Sequence, residues 1–438
     1  MIFHPRTAVK FKRELLNWRL WSGRLIVLIF AAFTGLLIVS FTKLAEFAFE
    51  CFGQITSNRW WLPLVLTPII TIAIVYLTRK IAPGAGGSGI PQVIAALDNK
   101  CPSDKVHFFV SLKLSFSKIL LTSFGLFAGL SLGREGPSVQ VAAGIMRQAK
   151  KLFPVLVQVS ESSLIMAGGA AGIAAAFNTP LGGVMFAIEE LSKSLEQKSN
   201  GLLLASIILA GLIGVSINGN ATYFNAIHEE YFSWKLIGIS CLVIITSGIL
   251  GGIFSKLLII SLKPSKHFLS TWRINHPLLF AGICGLLVAL IGVISNGETY
   301  GTGYGHTQSA IAGTDSSLAF VPLKFLATWI TTWSGVPAGI FAPSLAIGGG
   351  IGKTMADFML QPHSQILIAV GMAGFLAAVT QAPLTSFVIV MEMVDGHGLV
   401  LSLMASALLA AGISRLISKP LYPTLAKIQL MRIQNPVK

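Results

Sequence analysis

Three short turns of the chain share one pattern, in which a glycine is followed four positions later by a proline. They lie at residues 87–91, 133–137 and 339–343. Glycine allows close backbone approach, and proline suits the first turn of a helix because its missing N–H would have no partner there. Each turn therefore predicts a helix N-terminus, which attracts an anion with its unpaired N–H groups and dipole. One such turn alone favours an ordinary loop or kink, but three together favour an anion site.

Two side chains within these turns add chemistry of their own. Glu135 lies between Arg134 and Gly136 at a predicted helix start, in an apolar part of the chain with few acids. Ionised, its carboxylate could occupy the position of an anion; protonated, it would swing away and couple anion binding to a proton. A salt bridge to Arg134 or simple dipole capping is the alternative. The Ser88 hydroxyl could donate to an anion without adding charge, and an ordinary N-cap serine is the alternative there.

Three residues outside the turns are further candidates. Glu189 and Glu190 follow the apolar segment 181–188 and precede polar residues, which predicts a position near a membrane face. A proton route beginning there would need a carboxylate, and a solvated helix end is the alternative. Tyr422 follows the last long apolar run beside Lys419. An interfacial aromatic residue is the alternative for this tyrosine.

The elements that must position these residues are those of a membrane protein. Of the 438 residues, 53% are hydrophobic and only 11% are charged, against roughly 25% charged in soluble proteins. Shorter Gly- or Pro-flanked runs predict broken helices that do not cross the bilayer alone. A bare anion at that depth is unstable by on the order of tens of kcal/mol unless protein dipoles replace its water. The charge-poor stretches that approach a bilayer-spanning length are 25–41, 61–77, 108–130, 236–254 and 278–294, and the broken runs are 137–145, 171–177 and 343–351.

The basic residues predict the orientation in the membrane. Together with the cysteines and histidines they argue against a nucleic-acid-binding or metal-binding protein. The first 24 residues hold six Lys or Arg, from Arg6 to Arg24, against Glu14 alone. The positive-inside rule then predicts a cytoplasmic N-terminus, and no cleavable signal peptide is expected. Although the net charge is +15, the basic residues cluster between apolar spans, which argues against nucleic-acid binding. The four cysteines lie far apart and the eight histidines lie outside the middle of the apolar spans, so no metal site and no cofactor are predicted.

The two halves of the chain resemble each other, which predicts an internal duplication. Likeness by composition among Gly- and Ala-rich membrane helices is the alternative, but several blocks in the same order argue against it. Paired broken segments in two halves point to a central ion site. The aligned blocks are 133–145 with 339–351, 168–189 with 371–392 and, more weakly, 87–89 with 301–303.

The alignment also separates the two neighbouring acids. Glu392 occupies the position of Glu189, whereas Met393 occupies that of Glu190, so Glu190 is the acid without a counterpart. Such asymmetry suits a function more than a shared packing role. We expect two units: 1–200, with an N-terminal cytoplasmic helix and the first membrane repeat, and 201–438, with the second repeat and a C-terminal helix that carries Tyr422.

The three turns resemble the signatures of the CLC family of chloride channels and proton-coupled chloride exchangers, and the likeness covers nearly the whole chain. The turns stand in the order of that family, and the segment from Lys419 to Tyr422 also matches. The resemblance implies an all-α polytopic membrane protein with an inverted repeat of tilted and broken helices. It implies a homodimer in the cell inner membrane, with one anion pathway per subunit. No segment after Tyr422 is long enough for the regulatory modules of larger members, so regulation by adenine nucleotides is not expected.

Carried over by position, the resemblance implies a chloride-binding site. The bound chloride would be held by the hydroxyls of Ser88 and Tyr422 and by the backbone N–H groups of Ile340 and Phe341. Serine at position 88 implies chloride, because nitrate-coupled and fluoride-specific members of the family carry other residues there. Gln92 stands where bacterial relatives frequently have glutamate, a departure that should not touch transport.

The same resemblance implies the roles of two glutamates. Glu135 would be the outer gating and proton-transfer glutamate, and Glu190 the inner proton-transfer glutamate, which exchangers of the family generally carry and its channels generally lack. The sequence therefore predicts a chloride/proton antiporter. A passive chloride channel of the same fold, gated by voltage or pH, is the alternative. An intramembrane hydrolase, suggested only by Gly-flanked Ser88 and Ser138, lacks a plausible base, so no enzyme is predicted.

Overall fold

The structure, a computed structural model, describes most of the chain. The described residues are 18–153, 159–192, 201–219, 223–224, 226–227, 234–313, 317–360 and 364–434. The basic residues between Arg6 and Arg13, on which the predicted cytoplasmic N-terminus largely depends, lie outside this part. That orientation stays a prediction.

The described part is mainly helical and contains no β-strand. In the first half the helices are α1 (Trp18–Thr56), α2 (Pro63–Ile81), α3 (Ile90–Ala96), α4 (Val106–Phe109), α5 (Leu112–Phe127), α6 (Glu135–Met146), α7 (Glu161–Phe177), α8 (Pro180–Phe186) and α9 (Gly201–Asn218). In the second half they are α10 (Trp234–Leu262), α11 (Phe268–Asn275), α12 (Pro277–Ile294), α13 (Tyr304–Ile311), α14 (Phe320–Ser334), α15 (Phe341–Phe358), α16 (Ser364–Thr380), α17 (Pro383–Met393), α18 (Val400–Ile417) and α19 (Leu421–Gln434).

Seven helical stretches within the described residues are long and apolar enough to cross a membrane. They include α1, α2, α5, α9, α10, α12 and α18. The five predicted spans overlap five of them, so the prediction of a multi-pass membrane protein is confirmed. Helix α1 continues 15 residues beyond the predicted stretch, to Thr56. Sequence reading ended the span early because Lys43, Glu46 and Glu50 interrupt the apolar run without interrupting the helix.

Several helices are too short to cross a bilayer. Helix α6 has 12 residues, which at about 1.5 Å per residue spans roughly 18 Å of a hydrocarbon core about 30 Å thick. Every residue of α6 is buried, so it lies inside the protein and not against lipid. The N-terminus of α6 therefore lies within the molecule, where its first N–H groups face other protein elements. This agrees with the predicted broken helix over residues 137–145.

The N-termini of α6 and α15 face each other. Gly133 and Gly339 exchange two backbone hydrogen bonds, with N···O distances of 2.7 and 3.0 Å, in an isolated antiparallel bridge. These residues hold matching positions in the two aligned halves. Corresponding helices thus approach the same point from opposite sides, as an inverted repeat requires.

A second pair of corresponding helices, α8 and α17, runs antiparallel. Glu189, after the end of α8, accepts hydrogen bonds at 3.1 and 2.7 Å from the N–H groups of Leu384 and Thr385 at the start of α17. Glu392, at the end of α17, accepts bonds of the same lengths from Leu181 and Gly182 at the start of α8. Each carboxylate thus caps the positive end of the partner helix. The predicted inverted repeat is confirmed, while the division of the chain at residue 200 stays a prediction.

Loss of either reciprocal cap should lower stability. We expect Glu392→Gln and Glu189→Gln each to destabilise the fold by about 1 kcal/mol, because a neutral amide interacts less favourably with the helix dipole. The measurement is the midpoint of thermal unfolding of the purified protein in detergent. Asp104→Asn, on an exposed turn, is the control. Unchanged midpoints for both glutamate variants would contradict reciprocal capping.

Candidate functional site

The structure brings the three glycine-proline turns together at one point. The exchanged hydrogen bonds of Gly133 and Gly339 join the second turn to the third. The first turn is bound to the segment before the third, since Ala338 N–H donates to the Gly87 carbonyl at 3.2 Å. It also touches the second turn, because a Cβ atom added at Gly136 would lie 2.4 Å from Ser88 Oγ. The expected meeting of helix N-termini is therefore present.

The Ser88 hydroxyl does not cap the helix that follows it. The residue that precedes α3 is Gly89, and its N–H donates to the side-chain oxygen of Gln92 at 3.0 Å. The Gln92 amide in turn donates to the Gly86 carbonyl at 2.5 Å. Ser88 Oγ is buried and makes no hydrogen bond of normal geometry to the described residues. The alternative of an ordinary N-cap serine is wrong, because Gln92 stabilises this helix start.

Tyr422 lies in the same place as Ser88. It is fully buried in the first turn of α19, so the alternative of an interfacial aromatic residue is wrong. Its ring lies nearly parallel to that of Phe341, with 6.1 Å between the ring centroids. Ser88, Tyr422 and Ile340 line one cavity of about 390 Å³. Ile340 and Phe341 begin α15, so their N–H groups have no partner within that helix.

Glu135 is the first residue of α6 and is fully buried. One carboxylate oxygen accepts a hydrogen bond from the hydroxyl of Tyr304 at 2.8 Å. The other oxygen is buried against Gly133 and makes no hydrogen bond of normal geometry to the described residues. The carboxylate thus lies at the junction of the turns, where the backbone N–H groups of Glu135 and Ala342 act on it.

Arg134 does not pair with Glu135, so the salt-bridge alternative is wrong. Its guanidinium lies 2.7 Å from the Glu46 carboxylate of α1. It also donates to the carbonyl of Thr42 at 3.1 Å and to the hydroxyl of Tyr223. These bonds pair both terminal nitrogens of the buried cation, while its Nε makes no hydrogen bond of normal geometry to the described residues. They leave the neighbouring carboxylate to the anion site.

Two cavities with different linings border the meeting point. One, of about 440 Å³, is lined by Glu46, Arg134, Tyr223 and Tyr304 among others. The other is the 390 Å³ cavity lined by Ser88 and Tyr422. Glu135 bonds to Tyr304 in the wall of the first, and Gly136 of its turn touches Ser88 in the wall of the second. Glu135 and its turn are therefore in contact with the walls of both cavities.

Glu190 lies in a single π-helical turn, Ala187–Leu191, directly after α8. Such turns occur frequently at functional sites. Its neighbour Glu189 caps α17, so a freely solvated helix end is wrong for Glu189. Glu190 lies close enough to Tyr422 for its charge to act on the phenol. The two adjacent acids therefore have different surroundings, as their unequal repeat positions suggested.

Two buried lysines that support the site escaped the sequence analysis. Lys118 Nζ donates to the Gly87 carbonyl at 2.6 Å, and Lys324 Nζ donates to the Gly301 carbonyl at 2.8 Å. Gly87 and Gly301 belong to the weakest of the aligned blocks, so the structure confirms that match. The available signal was a lysine within each apolar run.

Tyr304 also escaped it, because nothing in the sequence marks a tyrosine as the partner of a distant glutamate. Its ring packs against Tyr223 and Phe224, with centroid distances of 4.6 and 5.6 Å. This packing fixes the ring beside Glu135. The tyrosine hydroxyl therefore stabilises the ionised carboxylate in its observed position.

Broken helices whose N-termini meet inside a multi-pass bundle, between two cavities, define a membrane transport protein for anions. The chain matches the family model described as voltage gated chloride channel over residues 70–415. The H(+)/Cl(-) exchange transporter ClcA of Salmonella agona is 30% identical over 412 residues, which cover 90% of this chain and 85% of that protein.

Solved structures show the same fold. The crystal structure of a slow cyanobacterial Cl-/H+ antiporter superposes with a TM-score of 0.79 and 25% identity, over 94% of this chain and 99% of that one. A CLC-type fluoride/proton antiporter gives 0.73 and 22% identity, over 93% and 98%. The chain belongs to the voltage gated chloride channel (CLC) family. Like its relatives it is a transport protein and not an enzyme.

Removal of the Tyr304 hydroxyl should speed transport. A hydrogen bond to a charged group contributes about 1.5–3 kcal/mol, so Tyr304→Phe should ease departure of the Glu135 carboxylate. We expect chloride turnover in liposomes to rise by roughly tenfold where this departure limits the rate. Tyr300→Phe is the matched control, because this tyrosine donates to the Ala289 carbonyl. Unchanged or slower turnover in Tyr304→Phe would contradict this role for the hydroxyl.

Proposed function

We propose that the protein exchanges chloride for protons across the cell inner membrane. The observation that carries this proposal is the position of Glu135, a buried carboxylate at the junction of three helix N-termini and between two cavities. A carboxylate and a halide both favour such a position, so they compete for it. Protonation removes the charge of the carboxylate and opens the position to chloride. One residue thereby links anion movement to a proton.

The proposed chloride seat lies where neutral donors converge. The hydroxyls of Ser88 and Tyr422 are buried without a protein partner of normal geometry among the described residues. The N–H groups of Ile340 and Phe341 start α15 and have no partner within the helix. Together these groups offer an anion four donors and no full positive charge. Such a site binds chloride firmly enough to replace its water and weakly enough to release it.

The proposed proton route uses both glutamates. Glu135 accepts a hydrogen bond from Tyr304, and Glu190 lies close enough to Tyr422 for its charge to act on the phenol. Two titratable groups near the chloride seat allow a proton to cross without following the anion through every step. Relatives over most of the chain are named exchange transporters, which favours exchange over a passive channel gated by voltage or pH.

The proposal extends to orientation and assembly. The basic N-terminal segment favours a cytoplasmic N-terminus by the positive-inside rule. A homodimer with one pathway per subunit follows from the family resemblance.

Removal of either hydroxyl from the proposed seat should weaken chloride binding. A neutral hydrogen bond contributes about 0.5–1.5 kcal/mol, so Ser88→Ala and Tyr422→Phe should each raise the chloride Kd by roughly threefold to tenfold. Isothermal titration calorimetry on the purified protein measures this constant. Ser138→Ala is the control, because its hydroxyl donates within α6 to the Arg134 carbonyl. A chloride Kd that is the same in all three variants would exclude these hydroxyls as ligands.

Glu190→Gln should separate the two transported ions. In chloride-loaded liposomes an imposed chloride gradient should drive protons uphill through the unaltered protein. The variant should lose this proton movement and keep its chloride flux, because glutamine cannot carry the proton. Glu189→Gln, one residue away, should keep the coupling despite its lost cap. Chloride flux without proton movement in the unaltered protein would refute exchange and favour a channel.

A further inference from the structure

The cavity on the Tyr422 side carries an unbalanced positive charge at its mouth. Arg79, Arg273 and Arg432, from α2, α11 and α19, all line it. Among the described residues that line this cavity, none is Asp or Glu. Three cations without a counter-charge in a space of about 390 Å³ repel one another. A bound anion would relieve that repulsion.

Two of these arginines are held in place by one helix end. The Arg273 guanidinium donates to the Ser261 carbonyl at 2.7 Å, and that of Arg432 donates to the Leu262 carbonyl at 3.2 Å. Both carbonyls lie at the C-terminus of α10, where cations are favoured. Each guanidinium has five N–H donors, so these bonds leave most of them available. The two arginines are therefore held in position and keep N–H donors available for a ligand.

The charges of the group act on one another. Arg273 is half-buried, and burial together with the charges of Arg432 and Arg79 lowers its pKa to about 10. At neutral pH it stays protonated. Capping of α10 alone would account for Arg273 and Arg432. It would not account for Arg79, which belongs to α2 and lines the same cavity.

We propose that Arg79, Arg273 and Arg432 form a binding site for a phosphate group, whose occupant obstructs the Tyr422-side opening of the anion pathway. Guanidinium groups match phosphate oxygens with paired hydrogen bonds, and a divalent anion gains more from three cations than chloride does. The phosphate comes from a free polyvalent anion or from the headgroup of an anionic lipid. Binding at this site does not require the proposed chloride exchange, so the two can fail separately.

Direct binding tests the site without reference to transport. Pyrophosphate should raise the midpoint of thermal unfolding of the purified protein in detergent in a saturable manner. In Arg273→Gln/Arg432→Gln its Kd should rise at least about tenfold, because hydrogen bonds to charged groups are lost. Arg415→Gln/Lys419→Gln removes two exposed cations outside the cavity and is the matched control. Arg79→Gln, a milder change at an exposed residue, provides a second test should the double variant fold poorly.

A second arm separates the two phosphate sources. The protein is placed in phosphatidylcholine liposomes with or without phosphatidic acid, and chloride efflux is measured with and without pyrophosphate. Slowing by pyrophosphate that the cavity variant loses and the control keeps supports a free anion. Slowing by phosphatidic acid with the same dependence supports a lipid headgroup. No binding and no slowing from either source, or equal loss in the control variant, overturns the proposal.

Discussion

The meeting of helix N-termini in the interior is the constraint on which the rest of the structure depends. It requires backbones to approach so closely that side chains are excluded: a Cβ atom at Gly339 would lie 2.6 Å from the Gly133 carbonyl oxygen. Such contacts force glycine at the junction. They also leave the N–H groups of Ile340 and Phe341 without helical partners, and an anion or a carboxylate can accept hydrogen bonds from them at this depth. The short, fully buried α6 follows from this arrangement, because its N-terminus must end inside the protein.

The inverted repeat supplies the junction from both sides. Glu189 and Glu392 cap each other's helices, and Lys118 and Lys324 each bind the carbonyl of a matched glycine. Both lysine side chains are buried and donate to backbone carbonyl oxygens, so they hold the glycine turns in place from the two halves. The two halves differ at Glu190, the proposed proton-transfer residue, which has no acidic counterpart in the second half and lies near Tyr422.

Sequence reasoning found the parts of the site that follow from local backbone chemistry. Glycine and proline mark helix starts wherever they occur in this pattern, so the three turns and the repeat were predictable. The partners of the site residues were not, because they depend on packing between distant segments. Nothing in the local sequence indicates that Tyr304 bonds to Glu135 or that Arg134 pairs with Glu46. Nor does it indicate that Gln92, and not Ser88, stabilises the start of α3. The length of α1 was underestimated for the same reason, since the partner of Glu46 lies 88 residues away.

The central claim is that a halide can occupy the position of the Glu135 carboxylate among the meeting helix ends, next to the chloride seat at Ser88 and Tyr422. Anomalous diffraction from bromide-soaked crystals of Glu135→Gln tests it most directly. The account predicts one bromide within hydrogen-bonding distance of the Ser88 and Tyr422 hydroxyls, and a second at the position that the Glu135 carboxylate occupies in the unaltered protein. Bromide that is absent from both positions, or equally present at the carboxylate position with Glu135 intact and ionised, would contradict it.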